Sequence, residues 1–91
     1  MGGQGRTAVV TGAASGIGQA VAMRLLREGV DVLAVDLNEA GLTTVVDGGA
    51  RAWACDLTDE AARDRLVEEA RGVDYLVNAA GIIRLLSLIH I

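Results

Sequence analysis

The segment TAVVTGAASGIG, Thr7 to Gly18, constrains this chain more than any other stretch. Thr7 to Thr11 is a short β-branched run of the kind found in buried strands, and it stops abruptly at Gly12. Glycines recur at 16 and 18, after which the sequence takes up a helical period. Ile17, Val21 and Leu25 share a stripe with Gly18, Ala22 and Leu26, while Gln19, Arg24 and Arg27 fall elsewhere. A strand that runs through a glycine-rich turn directly into a helix is the opening of a βαβ unit.

The rest of the chain continues the alternation. Gly29 stands where a helix stop is expected. VDVLAVD, Val30 to Asp36, is almost continuously apolar and closes on an acid, which reads as a second buried strand. Residues 37 to 49 read as a loop with a short helix or turn inside it, and RAWACD, Arg51 to Asp56, as the third strand. Thr58 is expected to cap a second long helix, with Asp59 and Glu60 in its first turn and Ala62, Leu66, Val67 and Ala70 on its buried face. Gly72 ends that helix, and VDYLVN, Val73 to Asn78, reads as strand four. This order predicts an α/β fold: the N-terminal half of a doubly wound parallel sheet of Rossmann type, strands one to four with crossover helices.

The position of the glycines carries the chemistry. Gly12 allows a sharp turn out of the strand, Gly16 allows the backbone to approach a pyrophosphate, and Gly18 allows close contact of helix and sheet. Free N–H groups at the helix start, reinforced by the helix dipole, then face an anion. Asp36 lies about 20 residues on, where an acid hydrogen-bonds the adenosine ribose hydroxyls of a dinucleotide. A carboxylate there repels a 2′-phosphate, and neither the turn nor Leu37 supplies an arginine, so NAD is expected in preference to NADP.

Thr11-Gly12-Ala13-Ala14-Ser15-Gly16-Ile17-Gly18 resembles the T-G-x-x-x-G-x-G motif of the short-chain dehydrogenase/reductase family. Asp56-Leu57 is similar to that family's acid-plus-aliphatic pair beside the adenine, and Asn78-Ala79-Ala80-Gly81 to its N-N-A-G, with Ala79 in place of the second Asn. The resemblance implies that Gly12, Ser15, Gly16, Ile17 and Gly18 hold the pyrophosphate and nicotinamide side. By the same likeness Asp36 holds the ribose, Asp56 and Leu57 the adenine, and Asn78, Ala80 and Gly81 the adjoining ribose region. It further implies a hydride transfer between nicotinamide and a small-molecule carbonyl or secondary alcohol, in a homo-dimer or homo-tetramer.

The residues that perform that transfer in the family, a Ser and a Tyr-x-x-x-Lys, are not found here. All eight basic residues are arginine, and the sole tyrosine, Tyr75, lies in strand four with no lysine after it. Tyr75 is expected to be a packing residue, and no catalytic residue is assigned. Cys55 stands alone, expected as a small buried hydrophobe, and His90 has no ligand or nucleophile spacing around it, so no metal site is expected. A formal net charge of −4 argues against nucleic acid as a partner. No signal-peptide pattern opens the chain and no apolar run approaches the roughly 20 residues of a spanning helix, so a cytoplasmic protein without a membrane partner is expected.

The last six residues, LSLIHI from Leu86 to Ile91, match in order the in-frame translation of a transposase mosaic end used in sequencing libraries, CTG TCT CTT ATA CAC ATC. Residues 1–85 are therefore expected to be a partial, truncated NAD-binding domain and 86–91 a non-native tail. The competing expectation for the tail is an apolar segment that covers a sheet edge or touches a bilayer. For the whole chain it is a genuine short protein acting as a non-catalytic dinucleotide-binding module or sensor, or else the product of a degraded gene.

Overall fold

The computed structural model describes residues 5–14 and 16–79. Four strands, β1 (Thr7–Thr11), β2 (Asp31–Asp36), β3 (Arg51–Ala54) and β4 (Tyr75–Asn78), form one sheet in the order β3-β2-β1-β4. All three pairings are parallel. Between them lie α1 (Gly16–Arg27), a 3-10 turn at Ala40–Leu42 leading into α2 (Thr43–Asp47), and α3 (Glu60–Ala70).

The central strands β1 and β2 are buried on both faces, as their apolar runs require, while the edge strands β3 and β4 are more exposed. Alternate residues of β1 and β2 divide between two clusters. Ala8, Val10, Val32 and Ala34 join Ala22, Leu42 and Val45, with Met23, Leu25 and Leu26 packed against them. On the opposite face Val9, Leu33 and Val35 meet Leu66 of α3, joined by Trp53, Leu57, Val67, Val73 and Leu76. Leu66 is 1% exposed; burying one such side chain stabilises by about 1.5–3 kcal/mol.

Several expectations from the sequence shift in the structure, among them the start of the fourth strand, which is Tyr75 rather than Val73. The α1 stripe loses its first member: Ile17 is 76% exposed, whereas Gly18 and Ala22 are buried. The third strand stops at Ala54 rather than at Asp56, because Asp56 turns the chain by accepting hydrogen bonds from Thr58. With its hydroxyl committed to Asp56, Thr58 does not cap α3. Asp59 does so instead, in extended conformation, accepting from the Ala61 N–H at 3.1 Å.

Two glycines carry the turn from β1 into α1. Gly12 has φ +72°, a left-handed conformation in which a Cβ is strained. Gly18 is buried, and a Cβ built on it would overlap the Gly12 carbonyl oxygen, lying 2.6 Å from the carbonyl carbon and 3.1 Å from the Ala79 Cβ. These neighbours are backbone or anchored directly to it, so relief requires α1 to move. Gly18→Ala in the complete open reading frame that encodes this chain is expected to destabilise by about 1–3 kcal/mol, read from the urea midpoint of purified protein. An unchanged midpoint excludes the close contact.

Candidate functional site

In a parallel sheet all strands end on the same edge, and here the register lines those ends up. Thr11 pairs with Val35 on one side and Asn78 on the other, and Asp36 pairs with Ala54. Chain order reverses beside β1, since β2 and β3 lie to one side and β4 to the other. The crevice outside the carboxyl ends at such a reversal is where open α/β sheets bind ligands.

The glycine-rich turn is held there chiefly by the end of β2. The N–H groups of Gly12 and Ala13 both donate to the Val35 carbonyl, at 2.8 and 3.2 Å. Asp36 extends the same grip with its side chain: Oδ2 accepts from the Ala14 N–H at 3.0 Å and Oδ1 from the Asn38 N–H at 2.9 Å. Each carboxylate oxygen retains a further acceptor site. At the end of β1, the buried Thr11 hydroxyl donates to Asn78 Oδ1 at 3.0 Å, and the Ala79 N–H donates to the Thr11 carbonyl at 3.1 Å. That pair ties β4 to β1 at the level of the turn.

Three of the residues expected at the site, Gly12, Asp36 and Leu57, line one open cleft of about 150 Å³ together with Val35, Leu37 and Cys55. Asp56 sits beside it at the surface. Gly16 begins α1 with φ +60°, and a Cβ added there would meet nothing within 4 Å, so the space in front of the turn is open. Ile17 follows, projecting into solvent. Gly18 lies behind the turn as its packing contact, and Asn78 is separated from the cleft by β1. Ser15, Ala80, Gly81 and the tail from Leu86 to Ile91 lie outside the described residues.

Sequence reasoning overlooked Leu37 and Cys55 as part of this cleft. Leu37 is 68% exposed, a large apolar side chain directly after a strand-ending acid, and that placement was the available signal. Cys55 is half-buried rather than fully buried. Burial pushes its thiol above the ordinary cysteine value, with Asp56 and Asp59 adding to the rise, which suits a lining group and not a nucleophile. Tyr75 also departs from expectation: it is 37% exposed and accepts a hydrogen bond from Arg6 Nη1 at 2.6 Å. Its register partner is Ala8, near the start of β1, so it lies towards the sheet edge opposite the cleft.

Among the described residues no group of three or more His, Cys, Asp or Glu side chains could hold a metal ion. No described helix is long and apolar enough to cross a membrane.

The family described as short chain dehydrogenase matches residues 6–90. A D-threitol dehydrogenase of Mycolicibacterium smegmatis is 44% identical over 91 residues, covering 89% of this chain and 35% of that protein. A short-chain type dehydrogenase/reductase from Mycobacterium ulcerans superposes with TM-score 0.77 at 32% identity, over 90% of this chain and 34% of that one. A metagenomic short-chain oxidoreductase solved in complex with NADP gives TM-score 0.75 at 37% identity, over 87% and 40% of the two chains. The chain thus spans about a third of the length of the curated relatives it matches, 35% and 37% for two of them.

The surface acid of the site has a measurable signature. Asp56 Oδ1 accepts from the Thr58 hydroxyl at 2.7 Å and from its N–H at 2.9 Å. The hydroxyl bond, then the backbone bond, hold the Asp56 carboxyl below the ordinary carboxylate value. A depressed folded-state pKa means that this contribution to stability is present above the unfolded value and lost as pH falls through the folded one. Thr58→Val removes the first cause, so the Asp56 carboxyl is expected to titrate nearer its ordinary value of about 3.9, followed by carbon NMR of the carboxyl resonance. A titration midpoint that does not rise excludes the hydroxyl as the cause.

Proposed function

Because this chain belongs to the short-chain dehydrogenase family, we propose that it is the N-terminal, cofactor-binding portion of an NAD-dependent oxidoreductase. The parent enzyme moves a hydride between nicotinamide and a small carbonyl compound or secondary alcohol. The observation that carries this reading is the convergence, at the carboxyl ends of parallel strands, of the glycine-rich turn, Asp36 and Leu57 on one cleft. The nicotinamide ring, when bound, supplies the hydride chemistry; the side chains of this segment bind and orient and do not take part in it.

The residues present fit such a ligand. A Cβ at Gly16 would stand in the open space before the turn, where a phosphate needs close approach to backbone N–H groups. Asp36 would accept from ribose hydroxyls with the acceptor sites it retains, and its charge would reject a 2′-phosphate. Asp56 and Leu57 would hold the adenine, with Ile17 and Leu37 offering exposed apolar surface on either side of the turn. Ser15 belongs to the same pyrophosphate-binding set, and Asn78, Ala80 and Gly81 would border the adjoining ribose. The metagenomic relative carries NADP, and the preference for NAD in this chain is argued from Asp36 alone. A cytoplasmic, homo-dimeric or homo-tetrameric parent completes the reading.

The complete open reading frame is expected to bind NADH more tightly than NADPH, measured by quenching or enhancement of nicotinamide fluorescence. Asp36→Ala weakens both, since it also releases the Ala14 N–H, but it lowers the NADH:NADPH preference by about tenfold or more, equivalent to about 1.4 kcal/mol. An unchanged preference overturns the assignment of NAD.

The proposal also holds that residues 1–85 are native and 86–91 library sequence. Reading the source locus from unfragmented DNA across codons 80 to 95 is expected to show the frame continuing past Leu85 towards a Ser and a Tyr-x-x-x-Lys. A stop directly after Ile91 overturns the dehydrogenase reading in favour of a non-catalytic dinucleotide-binding module.

A further inference from the structure

Arg63 lies in the first turns of α3, where a cation is opposed by the positive end of the helix dipole. Among the described residues it takes part in none of the ion pairs, which involve Arg24, Arg51 and Arg71. Its own N–H is spent in the helix, on the Asp59 carbonyl at 3.0 Å. The guanidinium instead reaches back across the helix start, and Nη1 donates to the Thr58 carbonyl at 3.0 Å and the Leu57 carbonyl at 3.3 Å.

Those two carbonyls belong to a tight turn. The Asp59 N–H donates to the Asp56 carbonyl at 3.0 Å, closing residues 56–59, and Asp56 Oδ1 is occupied by Thr58. The Leu57 carbonyl is that of the middle peptide, so holding it fixes the plane of the turn between the Asp56 side chain and Thr58. The Leu57 side chain then lines the cleft. Asp56 Oδ2 is left without a hydrogen bond among the described residues. The Arg63 contacts hold a turn that presents one carboxylate oxygen of Asp56 beside the cleft and the Leu57 side chain within it.

We propose that Arg63 is a positioning residue for the adenine end of the cofactor site, acting through the Asp56–Asp59 turn. The proposal rests on the reading of Asp56 and Leu57 as adenine contacts. Its consequence is base selectivity: a fixed Asp56 carboxylate distinguishes a 6-amino purine, whose exocyclic amine donates to it, from a 6-oxo purine, which sets an acceptor oxygen against it at that position.

The test uses the complete open reading frame and two probes, NADH and reduced nicotinamide hypoxanthine dinucleotide, titrated by fluorescence. Wild-type protein is expected to favour NADH by about tenfold, the scale of one hydrogen bond to a charged group. Arg63→Met is expected to cut that ratio to about threefold or less, and Arg63→Lys, which keeps a shorter cationic donor, to restore part of it. A loss of stability alone leaves the ratio where it was, so an Arg63→Met protein that binds with the wild-type ratio overturns the proposal. If Arg63→Met is not recovered folded, Arg63→Gln carries the same expectation and the same refutation. Wild-type protein that binds neither dinucleotide overturns the cofactor-site reading itself. Wild-type protein that binds both equally overturns the adenine assignment. Both of these outcomes are distinguishable from a failure at Arg63.

Discussion

The contact on which the rest of the molecule depends is made by an atom that is not there. Without a Cβ on Gly18, α1 can start against the carbonyl of Gly12, and the helix therefore begins directly at the end of β1. That proximity brings the first turn of α1 into the crevice at the carboxyl edge of the sheet. It also forces the connecting backbone into a bend that Gly12 accepts with a positive φ. Had the helix begun a few ångströms further out, its unpaired N–H groups would face bulk water instead of a shaped crevice.

The second strand governs the same crevice from the side. Val35 and Asp36 receive three N–H groups of the glycine-rich turn between them. The acid read in the sequence as a ligand contact is a structural brace in the fold, and under the proposed function one carboxylate serves both roles. A substitution at Asp36 for the sake of cofactor preference therefore also loosens the turn. Comparison of two cofactors is informative where a single affinity is not.

Much of this was legible in the sequence, because the signals were local. The β1–turn–α1 unit, the apolar run of β2 and the glycine stops follow from residue type and spacing alone. The errors lie where side chains compete for the same partner. Thr58 is a sound helix cap by type, yet its hydroxyl is taken by Asp56, and capping passes to Asp59. Ile17 matches the helical stripe by period, yet in the first turn it is Gly18 that packs against the end of β1, and the Ile17 side chain stays outside. Tyr75 reads as interior to a strand, but β4 is shorter than the apolar run and the phenol lies at its first residue. Arg63 gave no signal, since a charged residue on a charge-rich helix face looks solvated until its carbonyl partners are known.

The position of β1 has a consequence for how the chain acquires its structure. Within the described sheet β1 is flanked by β2 and by β4, and the pairing with β4 links Ala8 with Tyr75 and Thr11 with Asn78. Around the same edge, the Thr7 N–H donates to Asp74 and Arg6 reaches Tyr75, closing separations of 67 and 69 residues. Closing a loop of that length costs entropy before any contact repays it, and long-range parallel pairing is slow for the same reason. One edge of β1 therefore stays unpaired until the chain some seventy residues further on has been translated.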